Sequence, residues 1–222
     1  MKKIFSFIKE FQKFHHKYWF SQHKNEWKKV RKEFDTYMIN LTEKVSKFDH
    51  DIKQADSLGK KVYKIFRINR DIRFSKDKTP YKKNISGTIA LGSMTDGYPG
   101  YYISIEPGGK SFIGGGIHSP DPQVLKRIRT KIDQSPQILR KIINKKSFRN
   151  MFPSAIDTNL MVATTPRGYH KDNPGIDLLR LKSFTAGRIF TDAEVLSEGF
   201  NKEVIKTLKI LYPLNDFLKS QE

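Results

Sequence analysis

Apolar residues near the amino terminus recur at helical spacing. Ile4, Phe7, Ile8, Phe11 and Phe14 follow the i, i+3, i+4, i+7 pattern, and Lys2, Lys3, Lys9 and Lys13 take the opposite side. This predicts a helix over 3–18 whose apolar stripe faces a core and not a membrane surface. Tyr18-Trp19-Phe20 makes an aromatic knot, and Ser21 is placed to cap the next helix. Trp27, Val30, Phe34, Tyr37, Met38, Leu41 and Val45 then form one long stripe, which predicts a single helix over 22–47. Residues 49–59 are polar and rich in turn formers, and read as a connection.

The period then changes from 3.6 to 2. Strands are expected at 62–69, 85–91, 101–106 and 111–117. Asp96-Gly97 and Pro107-Gly108-Gly109 punctuate the later ones, so hairpins and an antiparallel meander follow. Gly114-Gly115-Gly116 removes side chains from the fourth strand, which marks either a bulge or a close approach to the backbone. Asp121-Pro122 has the order of a cap and first helical residue, ahead of Val124, Leu125, Ile128 and Ile132. Ser135-Pro136 repeats that order before Ile138, Leu139, Ile142 and Ile143. Residues 150–180 read as a long irregular loop with one short strand near 160–163, and 179–190 as a final strand. Thr191-x-x-Glu194 is a capping box, and a stripe from Phe200 to Leu211 gives a last helix before Pro213. No repeat or boundary stands out. The expectation is one α+β domain over 1–222, an antiparallel or mixed sheet of about five strands packed with amino-terminal and carboxy-terminal helices.

Composition narrows the classes. Sixteen Phe and nine Tyr in 222 residues can fill a core, and the absence of Cys excludes disulfides, thiolate catalysis and Cys-based zinc sites. The first ten residues lack the form of a secretory signal, and no apolar run reaches the ~20 residues of a membrane span, so a soluble cytoplasmic protein is expected. The formal charge is +19. Compositional bias can raise lysine content by itself, so the location of the charge says more than its total. Residues 1–32 and 60–83 each carry ten Lys+Arg against two acids, and 125–149 carry nine against one, whereas 150–222 are balanced. Such segments attract nucleic acid, phosphorylated ligands or acidic surfaces.

Candidate chemistry concentrates in residues 67–84. Phe66, Ile68, Ile72 and Phe74 alternate with Arg67, Asn69, Asp71 and Arg73, and a run without apolar residues follows to Pro80. Three readings fit. Asp71 and Asp77 can pair with neighbouring cations and make a rigid structural loop. Arg73, Ser75, Lys76, Lys78 and Lys82 can hold phosphate or carboxylate, Arg as a bidentate fork and Lys as a point charge. Asp71 or Glu106 can act as a base beside those cations. Other motifs fail. Gly109-Lys110-Ser111 lacks the upstream glycine of a P-loop, the glycine triplet is not a dinucleotide fingerprint, and no histidine has the spacing of a helical metal site. His118, at the end of the glycine strand, is either a turn residue or a ligand contact.

These residues also resemble a known family. Phe66-Arg-Ile-x-Arg-Asp-Ile-Arg-Phe-Ser-Lys-Asp-Lys-Thr-Pro-Tyr-Lys82 is similar to the signature of the DUF2461 proteins. Gly100-Tyr-Tyr-x-x-Ile-Glu-Pro-Gly108 with Gly114-Gly-Gly-Ile-His-x-Pro120 resembles its second block. Pro166-x-Gly-Tyr169, Asn173-Pro174 and Leu179-x-x-Lys182 resemble its third, and Trp19-Phe20 its amino-terminal pair. His15-His16 departs from the asparagine pair usual ahead of Trp-Phe. The resemblance implies that the three blocks serve one domain and carries no activity, metal or cofactor with it. From it follows the expectation that Arg70, Asp71, Arg73, Ser75, Lys76, Asp77, Lys78, Tyr81 and Lys82 gather with Tyr102, Glu106, His118, Tyr169 and Lys182 around one cleft. The function expected is binding of a phosphate-bearing small molecule or nucleic acid. An enzyme acting on a small anionic substrate, and a scaffold for a protein partner, are the alternatives.

Overall fold

A computed structural model describes residues 1–92 and 97–219; Asp96, expected in a hairpin link, lies outside the described residues. Four helices come first: α1 (Lys2–Lys13), α2 (Lys17–Gln22), α3 (Lys24–Val45) and α4 (His50–Ser57). The sheet strands are β1 (Tyr63–Ile65), β2 (Ile85–Ala90), β3 (Gly100–Ile105), β4 (Ser111–Ile117) and β5 (Phe184–Phe190). They form one antiparallel sheet ordered β1-β2-β3-β4-β5, an α+β meander as expected. Between β4 and β5 lie α5 (Pro122–Gln134), α6 (Pro136–Ile143), α7 (Lys146–Met151) and α8 (Ile176–Leu179), and α9 (Asp192–Leu196) and α10 (Phe200–Leu218) close the chain. The chain divides into two compact units, one of residues 1–89, 102–113 and 189–205, the other of 90–101, 114–188 and 206–222.

In the first unit the expected helix over 3–18 breaks into two. The imidazole of His16 accepts the Trp19 N–H at 3.3 Å and starts α2 afresh. Ser21 caps nothing; its hydroxyl donates to Tyr18 O at 2.7 Å. The expected connection over 49–59 is instead a helix, because the Asp49 carboxylate accepts the Ile52 N–H and caps α4. Ile4, Phe7, Ile8 and Phe11 of α1 and Trp27, Val30, Phe34 and Met38 of α3 are buried.

Strand pairing fixes which sheet face these helices cover. Ile65 stands opposite Gly87, and a side chain at Gly87 would meet Met38 of α3. The Tyr63 hydroxyl donates to Asp35 on the same helix. Tyr63, Ile65, Gly87 and Ile89 therefore face α3. Lys64, its partner Thr88, and Phe66, whose N–H donates to Ser86 O, fall on the other face by alternation.

The strand expected over 62–69 stops at Ile65. The chain then returns on itself: Asn69 bridges Tyr81, Arg70 N–H donates to Pro80 O, and Lys82 N–H donates to Ile68 O. Ile68 is buried but Phe74 is 95% exposed, so the alternation read through Phe74 does not describe a strand. The β3–β4 turn has Gly108 and Gly109 at φ +90° and +68°, a left-handed path that glycine takes without strain. Their N–H groups converge on the Asp192 carboxylate at 2.8–3.1 Å. The capping box of Thr191 and Glu194 forms as expected and holds Asp192 at the start of α9.

In the second unit the glycine triplet is a place of close backbone approach. A side chain at Gly115 would lie 2.1 Å from Gly100 O, and at Gly116 2.0 Å from Phe184 O. Asp121 accepts the Gln123 and Val124 N–H groups and caps α5 as expected, whereas Ser135 makes no cap bond to α6. The strand expected at 160–163 reduces to a single bridge, Met161 to Leu181. The final strand begins at Phe184, since residues 176–179 coil into α8. The last helix does not stop ahead of Pro213 but runs through it to Leu218. Lys131 Nζ donates to the Phe217 and Lys219 carbonyls, which an α-helix leaves unpaired at its end. No helix of the described residues is long and apolar enough to cross a membrane.

Candidate functional site

The loop between Arg70 and Pro80 is organised by one guanidinium. Arg70 Nη1 donates to Asp77 at 2.5 Å, to the Thr79 hydroxyl and to Thr79 O, and Nη2 reaches Ser75 Oγ at 3.3 Å. Asp77 also accepts the Thr79 N–H at 2.9 Å. That backbone donor, the Thr79 hydroxyl and Arg70 together hold the Asp77 carboxyl at about 2. Arg73 grips Asp71 with Nε and Nη2 at 3.0 and 2.7 Å, which holds Asp71 below the usual carboxylate range. Lys78 Nζ donates to Ile72 O at 3.0 Å. Each exposed pair adds little stability, but four groups sharing one guanidinium and its carboxylate specify a single loop shape. Arg70, Asp71, Arg73, Ser75 and Asp77 are thus bonded to one another or to their own loop, and Lys76 projects exposed from it.

Tyr81 turns inward. It is buried, with its ring 5.7 Å from Phe11 and 4.5 Å from Phe20. His15, four residues beyond Phe11 on the same side, packs on that ring, and burial pushes its pKa down. Lys82 points the other way, with Nζ 5.2 Å from the centre of the Phe66 ring. Burial, and then the neighbouring Arg67 cation, lower its pKa.

The sheet face away from α3 carries the rest. The Phe66 ring lies 6.2 Å from Tyr102, and Tyr102 lies 6.1 Å from Phe112. These distances put all three on one face, in a row from the end of β1 to β3 and β4, each partly exposed. Alternation adds Ser104 and Glu106 to that face from Tyr102, and Asn84 from Ser86. Asn84 Nδ2 donates to Glu106 at 3.2 Å, which confirms the placement. The Asn84 carbonyl oxygen is buried with no partner among the described residues. Gln12 of α1 fastens the edge by donating to Lys83 O at 3.0 Å.

The expected contacts from the third family block belong to the second unit. His118 is within 3.4 Å of the Ser183 hydroxyl, beside the exposed Lys182. Arg129 donates to the carbonyls of Leu179 and Leu181, and lies near Tyr169; burial lowers its pKa and Tyr169 partly offsets this. Arg180 donates to Val162 and Ala163 carbonyls, and Arg140 grips Asp177. Asn173 donates to Asp133 and accepts the Gly175 N–H. Tyr169, Asn173 and Lys182 therefore lie on a segment stitched to α5 and α6 by its own polar groups.

Sequence reasoning named Tyr102, Glu106 and Lys82 but missed Phe66, Phe112, Asn84 and Arg67. Carrying period two from 82 through 88 and from 102 through 106 aligns Lys82, Asn84 and Ser86 with Tyr102 and Glu106, and would have found Asn84. Among the described residues no cluster of His, Asp and Glu could hold a metal ion. A family model described as "Conserved hypothetical protein (DUF2461)" matches residues 3–217. No curated protein and no solved structure matches the chain.

Proposed function

The chain belongs to the DUF2461 family, and from its sheet face we propose that it binds a phosphate-bearing ligand with a planar ring, of the kind and size of a nucleotide. The row Phe66, Tyr102 and Phe112, with the Lys82 ammonium over its first ring, carries this reading. Partly exposed rings on a sheet give a flat ligand a stacking platform, worth roughly 1–3 kcal/mol per base. Lys82 and Arg67 supply the charge. Both influences on Lys82, burial and a neighbouring cation, disfavour its ammonium form, and the charge of a bound anion would offset them. Glu106, half-buried on the same face, adds an acceptor suited to the N–H edge of a base.

The enzyme reading has less support. Asp71 is engaged by Arg73 and held below the usual range, which makes it a poor proton acceptor near neutral pH. The binding reading is tested by titrating the protein with ATP and GTP by calorimetry, using wild type, Tyr102→Ala with Phe112→Ala, and Lys82→Gln. Loss of stacking should weaken binding at least tenfold, and Lys82→Gln should flatten its salt dependence. Unchanged affinity in the double variant would overturn the reading.

A further inference from the structure

Phe74 is the most exposed large apolar residue described, at 95%. It does not stand on a loose loop. Arg70, Ser75, Asp77 and Thr79 bond to one another around it, Arg73 to Asp71, and Lys78 to Ile72 O. The loop is preformed, so presenting Phe74 to a partner costs little further ordering. The Arg73 guanidinium lies 5.9 Å from its ring. Residues 70–83 carry six Lys+Arg against two acids, and both acids are paired inside the loop. The partner must therefore offer negative charge and a surface for one flat ring.

Resting on the nucleotide-type reading above, we infer that the ligand is single-stranded nucleic acid and that Phe74 is a second stacking position for it. Phe74 is four residues from Arg70, where the loop leaves the sheet edge that holds Lys82, so the loop reaches at most roughly 14 Å from there. The Phe74 ring, 95% exposed, stands apart from the contacting rings Phe66, Tyr102 and Phe112, so one base stacks at one place or the other, whereas a strand of a few nucleotides can use both, with its phosphates passing Lys76 and Lys78. An anionic membrane fits less well, since one phenyl ring without apolar neighbours is a weak anchor; Ile72 beside it is half-buried.

The test uses a fluorescein-labelled 12-nucleotide oligothymidylate, thymidine monophosphate and phosphatidylserine vesicles, with wild type, Phe74→Ala, Phe74→Trp, and Tyr102→Ala with Phe112→Ala. Phe74 makes no core contact, so its variants fold. The 12-mer should bind at least tenfold tighter than the mononucleotide. Phe74→Ala should lose about tenfold for the 12-mer and nothing for the mononucleotide, and the Phe74→Trp fluorescence should be quenched by the 12-mer. If the mononucleotide binds through the sheet face but Phe74→Ala leaves the 12-mer affinity unchanged, this inference fails and the sheet-face reading stands. Vesicle binding that depends on Phe74, with oligonucleotide binding that does not, overturns it as well. Failure of mononucleotide and 12-mer alike overturns both.

Discussion

Two glycines of positive φ separate the conformational cost of a side chain from its packing cost. Gly108 has φ +90° and nothing within 4 Å of an added Cβ. Gly116 has φ +112°, and an added Cβ would lie 2.0 Å from Phe184 O, 2.9 Å from Thr185 Cα and 3.0 Å from Phe184 C. Alanine at either position carries the backbone penalty, about 1–3 kcal/mol. Only at Gly116 is the obstacle backbone, on the neighbouring strand β5, which cannot rotate away as a side chain does. An oxygen must retreat by more than ~1 Å, so the ladder between β4 and β5 opens, adding at least the ~1–3 kcal/mol of ordinary overpacking. Gly108→Ala should therefore cost about 1–3 kcal/mol and Gly116→Ala about 2–6 kcal/mol, a large share of typical domain stability. Urea unfolding followed by far-UV circular dichroism measures both, while Trp19 and Trp27 report the first unit by fluorescence. Equal losses in the two variants would refute the close approach at Gly116.

Three further outcomes follow from single groups. Tyr37→Phe should raise stability by about 1 kcal/mol in the same urea assay, because the Tyr37 hydroxyl is buried with no partner among the described residues. Asp192→Ala should lower it by about 1–2 kcal/mol, since the carboxylate that accepts the Gly108 and Gly109 N–H groups is lost while Thr191 and Glu194 still cap α9. The Asp77 carboxyl, followed by carbon-13 NMR, should titrate at about 2, and Arg70→Gln should raise that midpoint. Because the folded value is depressed, the support Asp77 gives the loop is complete above the ordinary carboxylate value and is lost as pH falls through about 2.

Helical spacing revealed α1, α3, α5 and α6, because each buries one stripe of large side chains. It could not show where a helix restarts on a polar bond. His16 divides the first helix through one imidazole nitrogen, and Asp49 starts α4, whose buried set is only Ile52 and Ala55. Pro213 misled in the opposite direction, since proline ended a helix by rule where buried Leu211, Leu214 and Leu218 carry α10 on. At the candidate site the residue types were legible and their pairings were not. Asp71 and Asp77 stood in plain view beside Arg70 and Arg73, but which carboxylate meets which guanidinium depends on a loop path that alternation does not encode. Phe66 and Phe112 stood only as apolar positions of expected strands, and the position of α3 on the opposite face shows that they line the half-exposed side.

The division of labour between the cations decides what kind of binding to expect. Seven of the eleven arginines are engaged with the chain itself: Arg70, Arg73 and Arg140 with carboxylates, Arg129 and Arg180 with backbone carbonyls, Arg149 with Asn144, Arg188 with the Met151 sulfur. Arginine's planar fork suits such fixed bonding, which ties the guanidinium to the chain. For the proposed ligand the charge then comes mainly from lysines, Lys82 beside Arg67 on the ring row and Lys76 and Lys78 on the loop. A lysine is a point charge without preferred direction, so it holds a phosphate wherever the strand places one and discriminates little among them. Compositional bias can raise the number of lysines, but it does not set an ammonium 5.2 Å over an aromatic ring beside a second cation. If the proposed ligand binds there, its selectivity rests on the rings and on the Glu106 carboxylate. For that reason Glu106→Gln should change which bases are preferred while leaving the salt dependence of binding as it was.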